Sequence, residues 1–220
     1  MAYSFQFRDV FAARDALQDG LVLTLQLTAT TITFGFAIGL GVAAASVYGG
    51  PRLRRAAQMY VEVIRNTPLL VQLFVMFFGL PSLGVMLDVI PVATTALAIN
   101  LGAYAAEIIR AGLESVPKSQ VEAGLSLGMT RAEVFRHIVL MPALKNVYPS
   151  LTSQFVLLML ATSVVSQIAA PELFYAGSII QSRTYRDFEV YVVIAVMYLA
   201  VSLLLRGVFA IFYHLLFRRP

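Results

Sequence analysis

Residues Val121–Pro142 read VEAGLSLGMTRAEVFRHIVLMP, a charged, helix-compatible island set between long apolar runs. Charges at that density are costly in lipid and belong in water. Ser119 followed by Glu122 has the S-x-x-E spacing of a capping box, Gly128 is placed to close a short helix, and Thr130 with Glu133 repeats the box. The island therefore predicts helix, tight turn, helix. It is too short and polar to be a folded domain and too well capped to be a linker, so it reads as a docking piece for a cytosolic partner.

The chain around it is 59% hydrophobic and 13% charged, with a mean hydropathy of +0.80, against roughly 25% charged in an ordinary soluble domain. A chain of 220 residues cannot hide that much apolar surface in its own core. The solvent must be lipid, and the fold expected is an all-α integral membrane protein forming one domain over residues 1–220. There is no cysteine, and the only histidines are His137 and His214. Thiolate metal sites, disulfides and HExxH pairs are thereby excluded. The net charge of +4 is not a nucleic-acid signal, because the basic residues fall between apolar runs, where they set topology. Met1–Asp19 has charges but no short apolar core, so no signal peptide is expected. Its Phe5, Phe7, Val10, Phe11 and Leu17 suit a short helix in the membrane interface.

Five spans follow from hydropathy, at about 21–47, 58–80, 92–111, 150–168 and 189–212. The first contains Gly35 and Gly39 at GxxxG spacing, which permits close helix packing. After it GGPRLRR, Gly49–Arg55, has the arginines of a cytoplasmic loop, so the N-terminus is outside. In the second span Glu62 and Arg65 have the spacing to pair, and Pro68 allows a helix start or kink. Pro81–Pro91 holds Asp88 and no Lys or Arg, as expected of the outer face. Glu107 and Arg110 repeat the pairing in the third span. The connection at about 112–148 is cytoplasmic, and 169–188 is an outer loop. Arg206 can snorkel toward the inner surface, where Arg218 and Arg219 place the C-terminus.

Polar groups at membrane depth usually face a bundle interior or a water-filled cavity. Those expected to line a substrate pathway are Asn66, Gln72, Asn100, Tyr104, Glu107, Thr162, Ser163, Ser166 and Gln167. For Glu107 a surface-level ion pair at the headgroups is the alternative. Five helices close a pathway poorly, and exposed polar groups such as Ser163 and Gln167 need a partner surface. Dimerisation supplies one.

Glu122-Ala123-Gly124, three residues, Gly128, nine residues, Ile138-Val139-Leu140 and then Pro142 resembles the EAA loop of ABC importer permeases, whose pattern is EAA, three residues, G, nine residues, I-x-LP. Gly124 stands where the pattern has Ala, and Met141 is inserted before Pro142. Further motifs resemble the polar amino-acid permeases, importers of histidine, glutamine, glutamate, basic amino acids and opines. They are Leu21 with Thr24-Leu25, RNTPLLVQLF at Arg65–Phe74, Tyr104–Arg110, Thr162-Ser163, Arg183-Thr184-Tyr185 and Phe188-Glu189. Leu160-Ala161 replaces the charged or polar pair that many relatives show before Thr-Ser.

The resemblance implies the type I ABC importer permease fold. It implies a second permease subunit, identical or related, a cytosolic ABC ATPase dimer gripping the elbows, and an extracytoplasmic amino-acid-binding protein, all at a bacterial cytoplasmic membrane. Glu122, Ala123, Gly124, Gly128, Met129, Arg131 and Ile138 are then the coupling residues. Arg183, Arg186 and Glu189 would face the binding protein. No cofactor is expected on this chain, which lacks GxxxxGK[ST]; ATP and Mg belong to the partner. The competing reading is an ion- or proton-coupled carrier of small polar solutes using Glu107. An intramembrane serine hydrolase would need a membrane-embedded His or Lys beside its serine, and neither histidine is so placed.

Overall fold

In a bilayer core every backbone N–H and C=O must find a partner within the protein, which leaves helices as the economical solution for a chain with this hydropathy. The computed structural model describes residues 5–217, and among these there is no strand. A five-residue helix α1, Arg8–Ala12, leads into α2, Arg14–Tyr48. The charged residues from Arg14 to Asp19 therefore belong to the first span's helix, while Arg8 and Asp9 lie on a short helix of their own. At 1.5 Å per residue, the 35 residues of α2 make a rod of about 52 Å, longer than the expected 21–47. Val10 and Leu17 of the lead-in are buried.

The main pairing is between α2 and α5, Val89–Glu114. Gly35 and Gly39 are its contact points: a Cβ on Gly39 would lie 2.6 Å from that of Ala105, and one on Gly35 2.8 Å from Leu101. Gly102 answers from α5, where a Cβ would meet Ile38 at 2.6 Å. The GxxxG expectation is met, and the reason is steric: α2 and α5 approach closer than side chains of any size allow.

The second span is not one helix. It consists of α3, Pro51–Arg65, and α4, Leu69–Ser82, bent by 102° at Asn66-Thr67-Pro68. Pro68 starts α4 and has no N–H to continue α3. Among the described residues, four helices long and apolar enough to cross a membrane thus accompany one bent pair.

Beyond α5, α6, Lys118–Ser126, is followed by α7, Arg131–Val134, a π-turn at Phe135–Val139, and α8, Leu140–Ala161. Together with a final 3₁₀ segment, Thr162–Ile168, the run from Arg131 to Ile168 is 38 residues of uninterrupted helix. The elbow's second arm is therefore the foot of the fourth span, not a separate short helix. Pro142 cannot donate to Ile138, and its ring crowds that carbonyl. The π-turn just upstream, where Leu140 N–H reaches Phe135 O, takes up an extra residue in the way such bulges do. Nearby, α8 packs on α5 at Gly112, where a Cβ would fall 2.0 Å from Val147.

Segment 169–188, expected as an outer loop, is mostly the helix α9, Leu173–Thr184, before α10, Asp187–Phe217. Glu172 caps α9 by accepting from Tyr175 N–H at 2.8 Å. Arg218 and Arg219, expected to mark the inner end, lie outside the described residues.

Replacing Gly39 by Val should cost about 1–3 kcal/mol through overpacking, whereas Gly41→Val, whose Cβ would meet nothing within 4 Å, should leave stability nearly unchanged. Thermal unfolding of the purified proteins in mild detergent checks this, and equal Tm values would contradict the close contact.

Candidate functional site

The bend between α3 and α4 would strand the last carbonyls of α3 in an apolar medium. Side chains from the RNTPLLVQ stretch take them up. Asn66 Nδ2 donates to Glu62 O at 2.8 Å, Thr67 Oγ1 to Val63 O at 2.9 Å, and Gln72 Nε2 to Ile64 O at 2.7 Å. Gln72 also donates to Thr67 O and Oγ1, at 3.1 and 2.8 Å, and its own carbonyl accepts from Asn100 Nδ2 of α5 at 3.0 Å. Three residues expected as pathway lining, Asn66, Gln72 and Asn100, thus hold the bend and tie it to α5.

Below the bend lies a polar cavity of about 490 Å³, lined by Ser46, Gln58, Glu62, Arg65, Asn66, Tyr104, Glu107 and Arg110. Arg65 does not pair with Glu62. Its guanidinium sits 5.3 Å from the centre of the Tyr104 ring, a cation–π arrangement, and 3.8 Å from Glu107. The reason is the bend, which ends α3 beside α5. Glu107 takes a two-pronged contact from Arg110, at 3.1 and 2.7 Å, and Arg110 reaches Glu114 at 2.6 Å. Arg65, Glu107, Arg110 and Glu114 form a ladder of alternating charge, its members partly exposed to the cavity.

Of the fourth-span residues, Thr162 is fully buried and donates to Met159 O at 2.7 Å, so it lines nothing in this subunit. Ser163 and Ser166 turn their hydroxyls back to Leu160 O and Ser163 O, at 2.8 and 2.7 Å. They remain half-buried, while Gln167 is exposed. The polar run is a 3₁₀ segment satisfied by its own hydroxyls, ending at Ala169 with φ +62°. These residues stand apart from the Arg65–Glu107 cavity.

In the elbow, the box expected at Ser119 and Glu122 does not form. The helix starts two residues early, after Pro117, which puts both inside α6 with Glu122 exposed. The box at Thr130 and Glu133 is present, with Thr130 N–H donating to Glu133 at 2.8 Å and Glu133 N–H to Thr130 Oγ1 at 3.3 Å. Gly128 has φ +81°, a left-handed conformation that favours glycine. Gly128 N–H bonds to Leu125 O and Met129 N–H to Gly124 O, the two bonds of a Schellman motif. Gly124 is buried, and a Cβ there would lie 2.5 Å from Ile138 Cδ1 and 3.0 Å from Val134. Glycine in place of the pattern's Ala lets the two arms close on each other. Ile138 and Met129 accordingly brace the elbow from inside, whereas Ala123, Gly128 and Arg131 face outward with Glu122. Leu125 and Leu127, 43% and 84% exposed, are outward residues that the motif does not include. Large apolar side chains on a water-facing helix were their signal.

Sequence reasoning also missed an acid. Glu172, expected in an outer loop, is fully buried; Tyr198 Oη donates to it at 2.6 Å, and Leu173 N–H donates to Thr24 Oγ1 at 3.1 Å. This knot joins α2, α9 and α10. Glu189 is buried too, accepting from Gln6 N–H at 2.9 Å and lying 3.9 Å from Arg186, so it does not face an outer partner. Arg183 is exposed. Among the described residues no group of three or more His, Asp or Glu could hold a metal.

Residues 37–219 match the family model for the binding-protein-dependent transport system inner membrane component. Among curated proteins, a probable glutamine ABC transporter permease protein of Bacillus subtilis is 38% identical over 84% of this chain and 86% of its own. An L-cystine transport system permease protein of the same organism is 40% identical over 86% and 81%, and the glutamine transport system permease protein of Escherichia coli is 34% identical over 91% and 93%. Among solved structures, an amino acid ABC transporter crystallised with histidines superposes with a TM-score of 0.90 at 37% identity, over 96% of this chain and 99% of that one. The MetNI methionine ABC transporter, at 20% identity and a TM-score of 0.76 over 91% and 95%, shares the fold.

Gln72→Leu removes the donor for Ile64 O and Thr67 O and the acceptor for Asn100. It should destabilise the protein by about 1–3 kcal/mol, while the exposed Val71→Leu should not. Denaturant unfolding in detergent compares the two, and matching curves would refute the bracing role.

Proposed function

The chain belongs to the family of binding-protein-dependent transport system inner membrane components, and from that premise we propose that it is the membrane-spanning subunit of an ABC importer that takes up a polar or charged amino acid. The observation that carries the reading is the elbow: a glycine-turned, doubly capped helix pair whose second arm is continuous with a membrane span. The names of the curated relatives, permeases for glutamine and cystine, support an amino acid as cargo.

In this reading a cytosolic ABC ATPase dimer supplies ATP hydrolysis with Mg, and this chain holds no cofactor. The ATPase grips the outward face of α6 around Glu122, Ala123, Leu125, Leu127 and Arg131, with Gly124, Gly128, Met129 and Ile138 keeping the elbow's shape. A second permease, identical or related, completes the pathway. An extracytoplasmic binding protein delivers the amino acid, the N-terminus is outside and the C-terminus cytoplasmic. Arg65, Tyr104 and Glu107 offer a cation, a ring and a carboxylate to a zwitterion passing inward, and Ser163, Ser166 and Gln167 meet it nearer the outer side. The carrier alternative is disfavoured because the curated relatives are named as permeases of ABC transporters and transport systems.

In this naturally cysteine-free chain, Tyr104→Cys and Ser163→Cys in the reconstituted importer should react with water-soluble maleimide, and Thr162→Cys should not; protection of the first two would refute the pathway. A Cβ at Gly128 meets nothing within 4 Å, so a side chain there strains only the turn and obstructs only a partner. Gly128→Trp should insert and fold yet lose at least about tenfold in binding-protein-stimulated ATPase and transport, an energetic penalty of about 1.4 kcal/mol or more. Gly128→Asn, which tolerates the left-handed turn, should retain most of both. Full activity in the Trp variant would overturn the docking role.

A further inference from the structure

The cytoplasmic halves of α8 and α10 enclose a separate groove of about 360 Å³, with Tyr148, Thr152, Ser153, Arg206, Tyr213 and His214 among its lining residues. Arg206, Ala210, Tyr213 and His214 follow one face of α10 at helical spacing. Tyr148 Oη donates to Phe209 O at 2.7 Å, and the rings of Tyr148, Tyr213 and Phe217 cluster at 5.1–5.7 Å. Aromatic groups of this kind sit at headgroup level. Arg206 lies seven residues up the helix from Tyr213, about 10 Å toward the membrane interior.

Arg206 is exposed and makes no ion pair or hydrogen bond among the described residues. Nor is there an Asp or Glu in 140–171 or in 190–217 to meet it. A guanidinium at that depth requires an anion or water. On α10, Leu203, Leu204, Ile211, Phe212 and Leu215 are exposed, so apolar surface flanks the basic stripe. Thr152 has spent its hydroxyl on Tyr148 O at 2.9 Å, but the exposed Ser153 hydroxyl is free to donate.

We propose that this groove binds the headgroup of an anionic phospholipid of the inner leaflet. The phosphodiester meets the Arg206 fork, which suits phosphate oxygens, and Ser153 donates to it. His214 stands at the cytoplasmic mouth, and an acyl chain lies along Val156 and Phe209. The Arg206 charge, with no opposing acid on the two helices, selects a lipid of net negative charge over a zwitterionic one.

Native mass spectrometry of the purified importer complex, titrated with phosphatidylglycerol and with phosphatidylcholine of the same chains, tests this. We expect one phosphatidylglycerol retained per copy in preference to phosphatidylcholine. Arg206→Leu should lower the apparent affinity for phosphatidylglycerol about fivefold without changing that for phosphatidylcholine, and Arg206→Lys should restore most of it. Removing a charge from an apolar helix does not endanger insertion; Ser153→Trp, which fills the groove and keeps the charge, should give the same loss. Soluble glycerol 3-phosphate should not displace the lipid, and displacement would assign the site to free phosphate instead. Unchanged binding in Arg206→Leu, equal retention of the two lipids, or disulfide cross-linking of two copies through Ser153→Cys would overturn the proposal.

Discussion

A helix that breaks inside a bilayer must find partners for its own backbone, and that constraint organises this protein. At the junction of α3 and α4 the carbonyls of Glu62, Val63 and Ile64 are met by Asn66, Thr67 and Gln72, so the chain can turn through 102°. The turn then brings Arg65 to Tyr104 and Glu107 on α5 and creates the polar cavity beneath. Without the three side chains Pro68 would still break the helix, but the last carbonyls of α3 would lose partners in an apolar medium. The tightness of α2 against α5 at Gly35 and Gly39 gives the bend a fixed surface to be tied to.

Much of this was legible in the sequence. Hydropathy located the apolar helices, but not the bend that splits the second of them. Capping chemistry located the turn at Gly128 and the box at Thr130, because these signals act within a few residues and survive any tertiary context. The second box failed because Pro117 is a stronger punctuator than Ser119. Glu62 and Arg65 had the spacing to pair and did not, since a helix end brought next to α5 offered Arg65 an aromatic face and a better placed carboxylate. Glu172 was hidden from sequence reasoning for a related reason. Its burial depends on Thr24 and Tyr198, far away in the chain, and nothing local announces them.

The polar residues of the fourth span carry a further lesson. A run of Thr and Ser in a membrane helix suggests a wet face, yet hydroxyls can bond to carbonyls three or four residues back. Here Thr162, Ser163 and Ser166 do so, and the helix tightens to 3₁₀ geometry. Polarity in the sequence therefore marked a change of helical form as well as exposure, and burial separated Thr162 from its neighbours. In the elbow the inward and outward residues divide along the same lines: Gly124 and Ile138 set the angle between the arms, and Leu125 and Leu127 present apolar surface to whatever sits below.

The helix from Arg131 to Ile168 packs on α5 at Val147, against Gly112. Val147 is sixteen positions on from Arg131 and twenty-one before Ile168, or about 24 Å at 1.5 Å per residue on one side and about 35 Å on the other, where the 3₁₀ end rises about 2.0 Å per residue. A body pivoting there has a ratio of arms of about 1.5, so a sideways shift at the Arg131 end returns, enlarged and reversed in direction, at the 3₁₀ segment. The crossing at Gly112 is thus a fulcrum, and any residue larger than glycine at that point would move it.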